Sequence, residues 1–116
     1  FPLMISGHDL RRAFTRAEHY LSLVSMEKYR HYHPAELSGG QQQKVGLARS
    51  LITSPEILVA DEPTGNLDSE TGKQIIEILA VLNRMGKTVI IVTHDKEIAS
   101  FASRTILLKD GHLEKL

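Results

Sequence analysis

Apolar positions in this chain recur at two spacings. Leu10, Ala13, Phe14, Ala17, Leu21 and Val24 follow three- and four-residue steps, which predicts a helix over about 10–25 with Asp9 as its N-cap. Ser38 and Gln41 fit the reciprocal capping box, so a second helix is expected over about 39–53, ended by Ser54-Pro55. Ile75, Ile78, Leu79 and Leu82 share one face of a third helix, which begins at Asp68 or Ser69 and ends at Gly86 in a left-handed C-cap. Two short uninterrupted apolar runs, Ile57–Ala60 and Val89–Val92, predict strands covered on both faces. Asp95 is expected to cap a short helix through about Ala102. Asp110-Gly111, between Thr105–Leu108 and His112–Leu116, is a hairpin turn signal. The polar, aromatic stretch from Glu27 to Pro34 is expected to connect the first two helices without continuing either.

Strands that alternate with helices imply a parallel α/β sheet with crossover connections. The 116 residues suffice for one domain, and 41% apolar with 24% charged residues is ordinary for a globular chain. Lysine plus arginine and aspartate plus glutamate each number 14, so no bulk charge draws the chain to nucleic acid or to anionic lipid. With no cysteine, disulfides and thiolate metal sites are excluded. No apolar run approaches a membrane span, and no signal-peptide pattern is present. The chain opens on Phe1-Pro2-Leu3-Met4-Ile5 without an initiating methionine, and the expectation is a piece of a longer protein.

In open α/β sheets, ligands bind beyond the carboxyl ends of the strands. One strand end here delivers Asp61 and Glu62, and the other delivers Thr93 and His94. If the two strands are neighbours, two acids and an imidazole converge. Asp61 suits Mg²⁺, which keeps several waters and takes few carboxylates. Glu62 points elsewhere and can orient or deprotonate an attacking water, and His94 can contact a transferred phosphate or steady that water. An Asp-Glu pair alone is more often a solvated strand end, but a buried apolar strand before it and Pro63-Thr64 after it favour a site. Ser38-Gly39-Gly40 is a good helix cap and also suits an anion, because helix N-termini carry about half a positive charge and free N–H groups. Two glycines let the backbone approach a phosphate closely. Together these are the parts of nucleoside triphosphate chemistry.

The lysine-bearing phosphate loop is absent. Gly86-Lys87-Thr88 ends like one, but Val81 stands where its first glycine belongs, and the segment precedes a strand. Thr71-Gly72-Lys73-Gln74 lies inside a helix, so both segments read as helix punctuation. His31-Tyr32-His33 has no accompanying acid or thiol and reads as a polar linker. Arg11, Arg12, Arg16 and Lys28 read as a solvated helix face.

Leu37-Ser38-Gly39-Gly40-Gln41-Gln42-Gln43-Lys44-Val45 resembles the signature motif of ATP-binding cassette (ABC) ATPases. Ile57–Glu62 resembles their Walker B strand, Asn66-Leu67-Asp68 their D-loop, and Val92-Thr93-His94-Asp95 their switch-histidine loop. Thr64–Ser69 is similar to the branch with lipoprotein-release, macrolide-efflux and cell-division subunits. Lys44 and Gly46 depart from the usual arginine and alanine. The resemblance covers the later half of the family's domain. It implies an incomplete P-loop NTPase-like parallel sheet (55–116, with a C-terminal hairpin) preceded by an α-helical subdomain (1–54).

The resemblance also implies function. Glu62 and His94 would be catalytic, Asp61 would hold Mg²⁺, and Ser38, Gly39, Gly40, Gln41 and Asp68 would bind ATP. The signature would face the nucleotide of a second ATPase subunit, while Walker B and the histidine serve their own. A transmembrane permease would be the further partner, placing the chain peripherally on the cytoplasmic side of the membrane. A soluble ABC ATPase of DNA repair or translation, and a truncated non-enzymatic module, are the alternative readings. Without a phosphate loop, the isolated chain is expected to bind ATP weakly and not to turn it over.

Overall fold

The structure, a computed structural model, describes residues 10–114. Helix α1 spans Leu10–Leu23, α2 Gly39–Leu51 and α3 Ser69–Arg84. Strands β1 (Ile57–Asp61) and β2 (Thr88–Val92) flank α3, followed by the one-turn helix α4 (Lys96–Ala99) and the strands β3 (Leu107–Lys109) and β4 (His112–Glu114). Single 3₁₀ turns at Glu27–Tyr29 and Pro34–Glu36 occupy the segment expected to break the helical pattern. The proposed Asp9 cap lies outside the described residues.

Local chemistry sets most of these boundaries. Ser38 Oγ accepts from the Gln41 N–H (3.2 Å) while Gln41 Oε1 accepts from the Ser38 N–H (3.0 Å), closing the capping box. Asp68 caps α3 by accepting from the Thr71 N–H at 3.1 Å. Gly86, at φ +100°, ends it: the Lys87 N–H reaches the Leu82 carbonyl and the Gly86 N–H the Asn83 carbonyl, the Schellman pattern. Lys87 Nζ then donates to the Pro55 carbonyl at 2.6 Å, so this lysine serves the fold. Asp110 and Gly111, both at positive φ, form a two-residue turn between β3 and β4 in the antiparallel register Lys109↔His112. The helices end earlier than the pattern suggested, α1 at Leu23 and α2 at Leu51, and α4 stops at Ala99.

β1 and β2 pair in parallel with Leu58 beside Val89 and Ala60 beside Ile91, and α3 carries the chain between them. Leu58 packs with Leu51, Ile75, Ile76, Leu79 and Leu82 in the main core, with Ala60, Val89 and Ile91 against it. Val24, Met26, Leu37 and Ala48 form a second cluster joining the end of α1 to α2.

Two expectations are corrected. The strands are covered on one face only: Ile57, Val59, Ile90 and Val92 are exposed, Val59 by 67%, because among the described residues no element lies over that side. On α1, Phe14 is 58% exposed, and Tyr20 instead packs against the core clusters. Within the described residues no helix is long and apolar enough to cross a membrane.

The two sides of the sheet should therefore respond differently to mutation. Leu82→Ala, at a fully buried site, is expected to cost about 2–5 kcal/mol in chemical denaturation. Val59→Thr on the open face should change stability by only about 0.5 kcal/mol. Equal losses would contradict the one-sided core.

Candidate functional site

The β1–β2 register decides which strand-end groups meet. Asp61 pairs with Val92, so the residues that follow, Glu62 on one strand and Thr93-His94 on the other, emerge side by side. The Glu62 N–H donates to the Val92 carbonyl at 2.7 Å. Glu62 also sits at φ +46°, a left-handed backbone that costs a non-glycine residue of order 1 kcal/mol. That turn directs its side chain onto the β2 end. Glu62 Oε1 accepts from the His94 N–H at 2.9 Å and lies 2.7 Å from His94 Nδ1, while Oε2 accepts from the Thr93 hydroxyl at 3.2 Å.

The hydrogen bond from the His94 ring holds the Glu62 carboxyl below the usual glutamate range. Partial desolvation opposes this, and the His94 N–H and the Thr93 hydroxyl act with the ring. The His94 side chain is 91% exposed, so solvent screens the pair, which positions the carboxylate more than it stabilises the fold.

Thr93 is the site residue whose role sequence reasoning missed. Its hydroxyl donates to Glu62 and accepts from the Asp95 N–H at 3.0 Å, linking the carboxylate to the turn that starts α4. The signal was present in a hydroxyl residue two positions before a helix-capping aspartate.

Asp61 diverges from this cluster. It follows Ile57 and Val59 in the alternation of β1 and is exposed with them on the open face. Glu62 and His94 thus meet, and Asp61 stands apart from them. No group of three or more potential metal-ligating side chains occurs among the described residues. A single exposed carboxylate nevertheless fits Mg²⁺, which draws its remaining oxygens from water and substrate phosphates.

Ser38, Gly39 and Gly40 form the start of α2. A Cβ at Gly39 would meet nothing within 4 Å, whereas one at Gly40 would lie 2.3 Å from Thr71 Cγ2. Of the two glycines, only Gly39 has open space where its side chain would be. Gln41 is engaged through its side chain in the cap. The Asp68 carboxyl is held below its usual range by the Thr71 hydroxyl and then by the Thr71 N–H, so it too is committed to a cap. Lys44 Nζ donates to Gln74 Oε1 at 2.6 Å, joining α2 to α3. A groove of about 460 Å³ lined by Leu23, Val24, Lys44, Gln74, Glu77 and Ile78 shares no residue with the strand-end site.

The sequence profile of ABC transporters matches residues 5–65. The chain belongs to the ABC transporter family. The ATP-binding protein LolD of the lipoprotein-releasing system of Syntrophus aciditrophicus is 51% identical over 97% of this chain. The macrolide export ATP-binding/permease protein MacB of Bradyrhizobium diazoefficiens is 46% identical over 95% of it. Among solved structures, the dimeric post-hydrolysis state of the ATP-binding cassette MJ0796, bound to ADP and Pi, aligns over 93% of the chain with a TM-score of 0.81 and 44% identity. The α/β fold with a parallel sheet is thus part of the cassette fold. The ABC chain spans 51% of the LolD relative's length, 17% of the MacB relative's and 47% of the MJ0796 chain.

The Glu62 geometry has a measurable acid–base consequence. A carboxyl that is more acidic folded than unfolded adds stability that is complete above its unfolded pKa and is lost as pH falls through its folded pKa. Titration followed by NMR should place the Glu62 carboxyl below the ordinary glutamate range, and His94→Ala should move it back up by removing the largest cause. A Glu62 titration unmoved by His94→Ala would contradict the assigned pairing.

Proposed function

We propose that these residues belong to the ATP-hydrolysing subunit of an ABC transporter, which converts ATP to ADP and phosphate and energises a transmembrane permease. The observation that carries this reading is the meeting of Glu62, Thr93 and His94 at the carboxyl end of a parallel strand pair, with Glu62 held by the 2.7 Å contact to the histidine. Likeness to a cassette solved with ADP and Pi, and to the ATP-binding protein of a lipoprotein-releasing system, supports it.

Glu62 then acts as the base toward the attacking water, because its carboxylate is ionised near neutral pH and fixed in direction. His94 holds that carboxylate through Nδ1 and presents the rest of its exposed ring to the γ-phosphate side. Asp61 would hold Mg²⁺, which would supply charge neutralisation to the phosphates when bound. Ser38, Gly39, Gly40 and Gln41 turn the start of α2 toward the ATP of a second subunit, where its N–H groups suit an anion. Asp68 shapes the adjoining loop of the same interface. Residues 1–54 are the helical subdomain and 55–116 the later part of the ATPase core, peripheral on the cytoplasmic side of the membrane.

In the complete subunit, Glu62→Gln should lower turnover by about 10²-fold or more while ATP binding persists. Undiminished hydrolysis would remove Glu62 as the base. A second expectation follows from the sequence, which contains no Gly-x4-Gly-Lys-Ser/Thr loop. The 116-residue chain alone should show no saturable micromolar ATP binding in calorimetry and no hydrolysis. Tight binding by the chain alone would mean that phosphate capture resides in residues other than such a loop.

A further inference from the structure

Gly40 and Thr71 are remote in sequence yet occupy one point in space. Gly40 is the second residue of α2, and Thr71 lies in the first turn of α3. The position that a Cβ on Gly40 would take is filled by the Thr71 methyl, at 2.3 Å, with Thr71 Cβ at 3.5 Å and Oγ1 at 3.7 Å. A separation below 3.0 Å requires something to move, and Thr71 is poorly placed to do so. Its branched side chain has few rotamers. Its hydroxyl faces the Asp68 carboxylate and its N–H donates to that carboxylate at 3.1 Å, so turning the methyl away would disturb the cap of α3.

We propose that Thr71 is a positioning residue for the start of α2, and that its methyl, within the same subunit, is what requires glycine at position 40. Gly39 differs, with no atom within 4 Å of its absent side chain. The paired glycines therefore divide their work: one leaves the helix end open, and the other seats that end on α3. The contact also reaches further. A Cβ on Gly72, next to Thr71, would come within 3.3 Å of Thr64 Cβ, so the first turn of α3 is packed against the loop after Glu62 as well. The helix end at Gly40 and the loop at Thr64 are thereby both packed on the first turn of α3. The steric claim holds whether or not the chain acts on ATP; only its consequence for nucleotide chemistry rests on the functional reading above.

The test uses the 116-residue chain without nucleotide, so its outcome is separate from that of the ATPase reading. Gly39→Ala, Gly40→Ala, Thr71→Ser and the double variant Gly40→Ala/Thr71→Ser are compared by thermal midpoint and by amide exchange at the Gln41 and Gln42 N–H groups. Overpacking should make Gly40→Ala lower the midpoint and speed this exchange about tenfold, while Gly39→Ala does neither. Thr71→Ser keeps the hydroxyl and removes the clashing methyl, so the double variant should recover most of both losses. If Gly40→Ala does not fold, recovery of folding in the double variant supports the proposal. A double variant as impaired as Gly40→Ala, or a Gly40→Ala indistinguishable from Gly39→Ala, overturns it.

Discussion

The parallel pairing of β1 with β2 is the constraint from which the rest follows. A one-residue slip would turn the inward set of one strand, Leu58 with Ala60 or Val89 with Ile91, away from α3 and bring that strand's opposite side chains against the core. Burial of Leu58 against Ile75, Leu79 and Leu82 holds the register, and α3 is the crossover that parallel strands need. The same register brings Glu62 to Thr93 and His94. Core packing and the candidate chemistry are therefore two results of one alignment, and loosening the first would misplace the second.

At the strand ends, geometry rather than burial shapes the carboxylate. Glu62 is only partly covered, yet three donors from two consecutive residues converge on it from one side. The left-handed backbone at Glu62 makes this approach possible, and the Val92 carbonyl anchors that turn. Strain at a single residue is thus offset by bonds along the adjoining strand, an arrangement common where a side chain must be aimed. Asp61, one position earlier in the extended backbone of β1, stays on the open face with Ile57 and Val59.

Much of this was legible in the sequence because its causes are local. Ser38 with Gln41, Asp68, Gly86 and Asp110-Gly111 each act on backbone groups a few residues away, and each appears where the residue pattern put it. The meeting of the two strand ends was legible too, given that apolar runs separated by a helix pair in parallel. The remainder depends on partners distant in sequence. A run such as Ile57–Ala60 reads the same whether one face or both are covered, since strand propensity reports the surroundings more than the backbone. Phe14 and Tyr20 both sit at helical spacings, and only the approach of neighbouring elements selects Tyr20. The Thr93 hydroxyl finds its acceptor 31 residues away, and Thr71 meets Gly40 across two helices. Spacing along the chain carries no record of such encounters.

The open side of the sheet has a consequence for how the chain behaves in a test tube. Ile57, Val59, Ile90 and Val92 form an apolar surface on a two-stranded ribbon whose outer edges, among the described residues, pair with nothing. Unpaired edges beside apolar side chains are templates for adding strands from other molecules. Association of the isolated chain through this ribbon is therefore favoured by concentration and by warmth, since apolar attraction weakens on cooling.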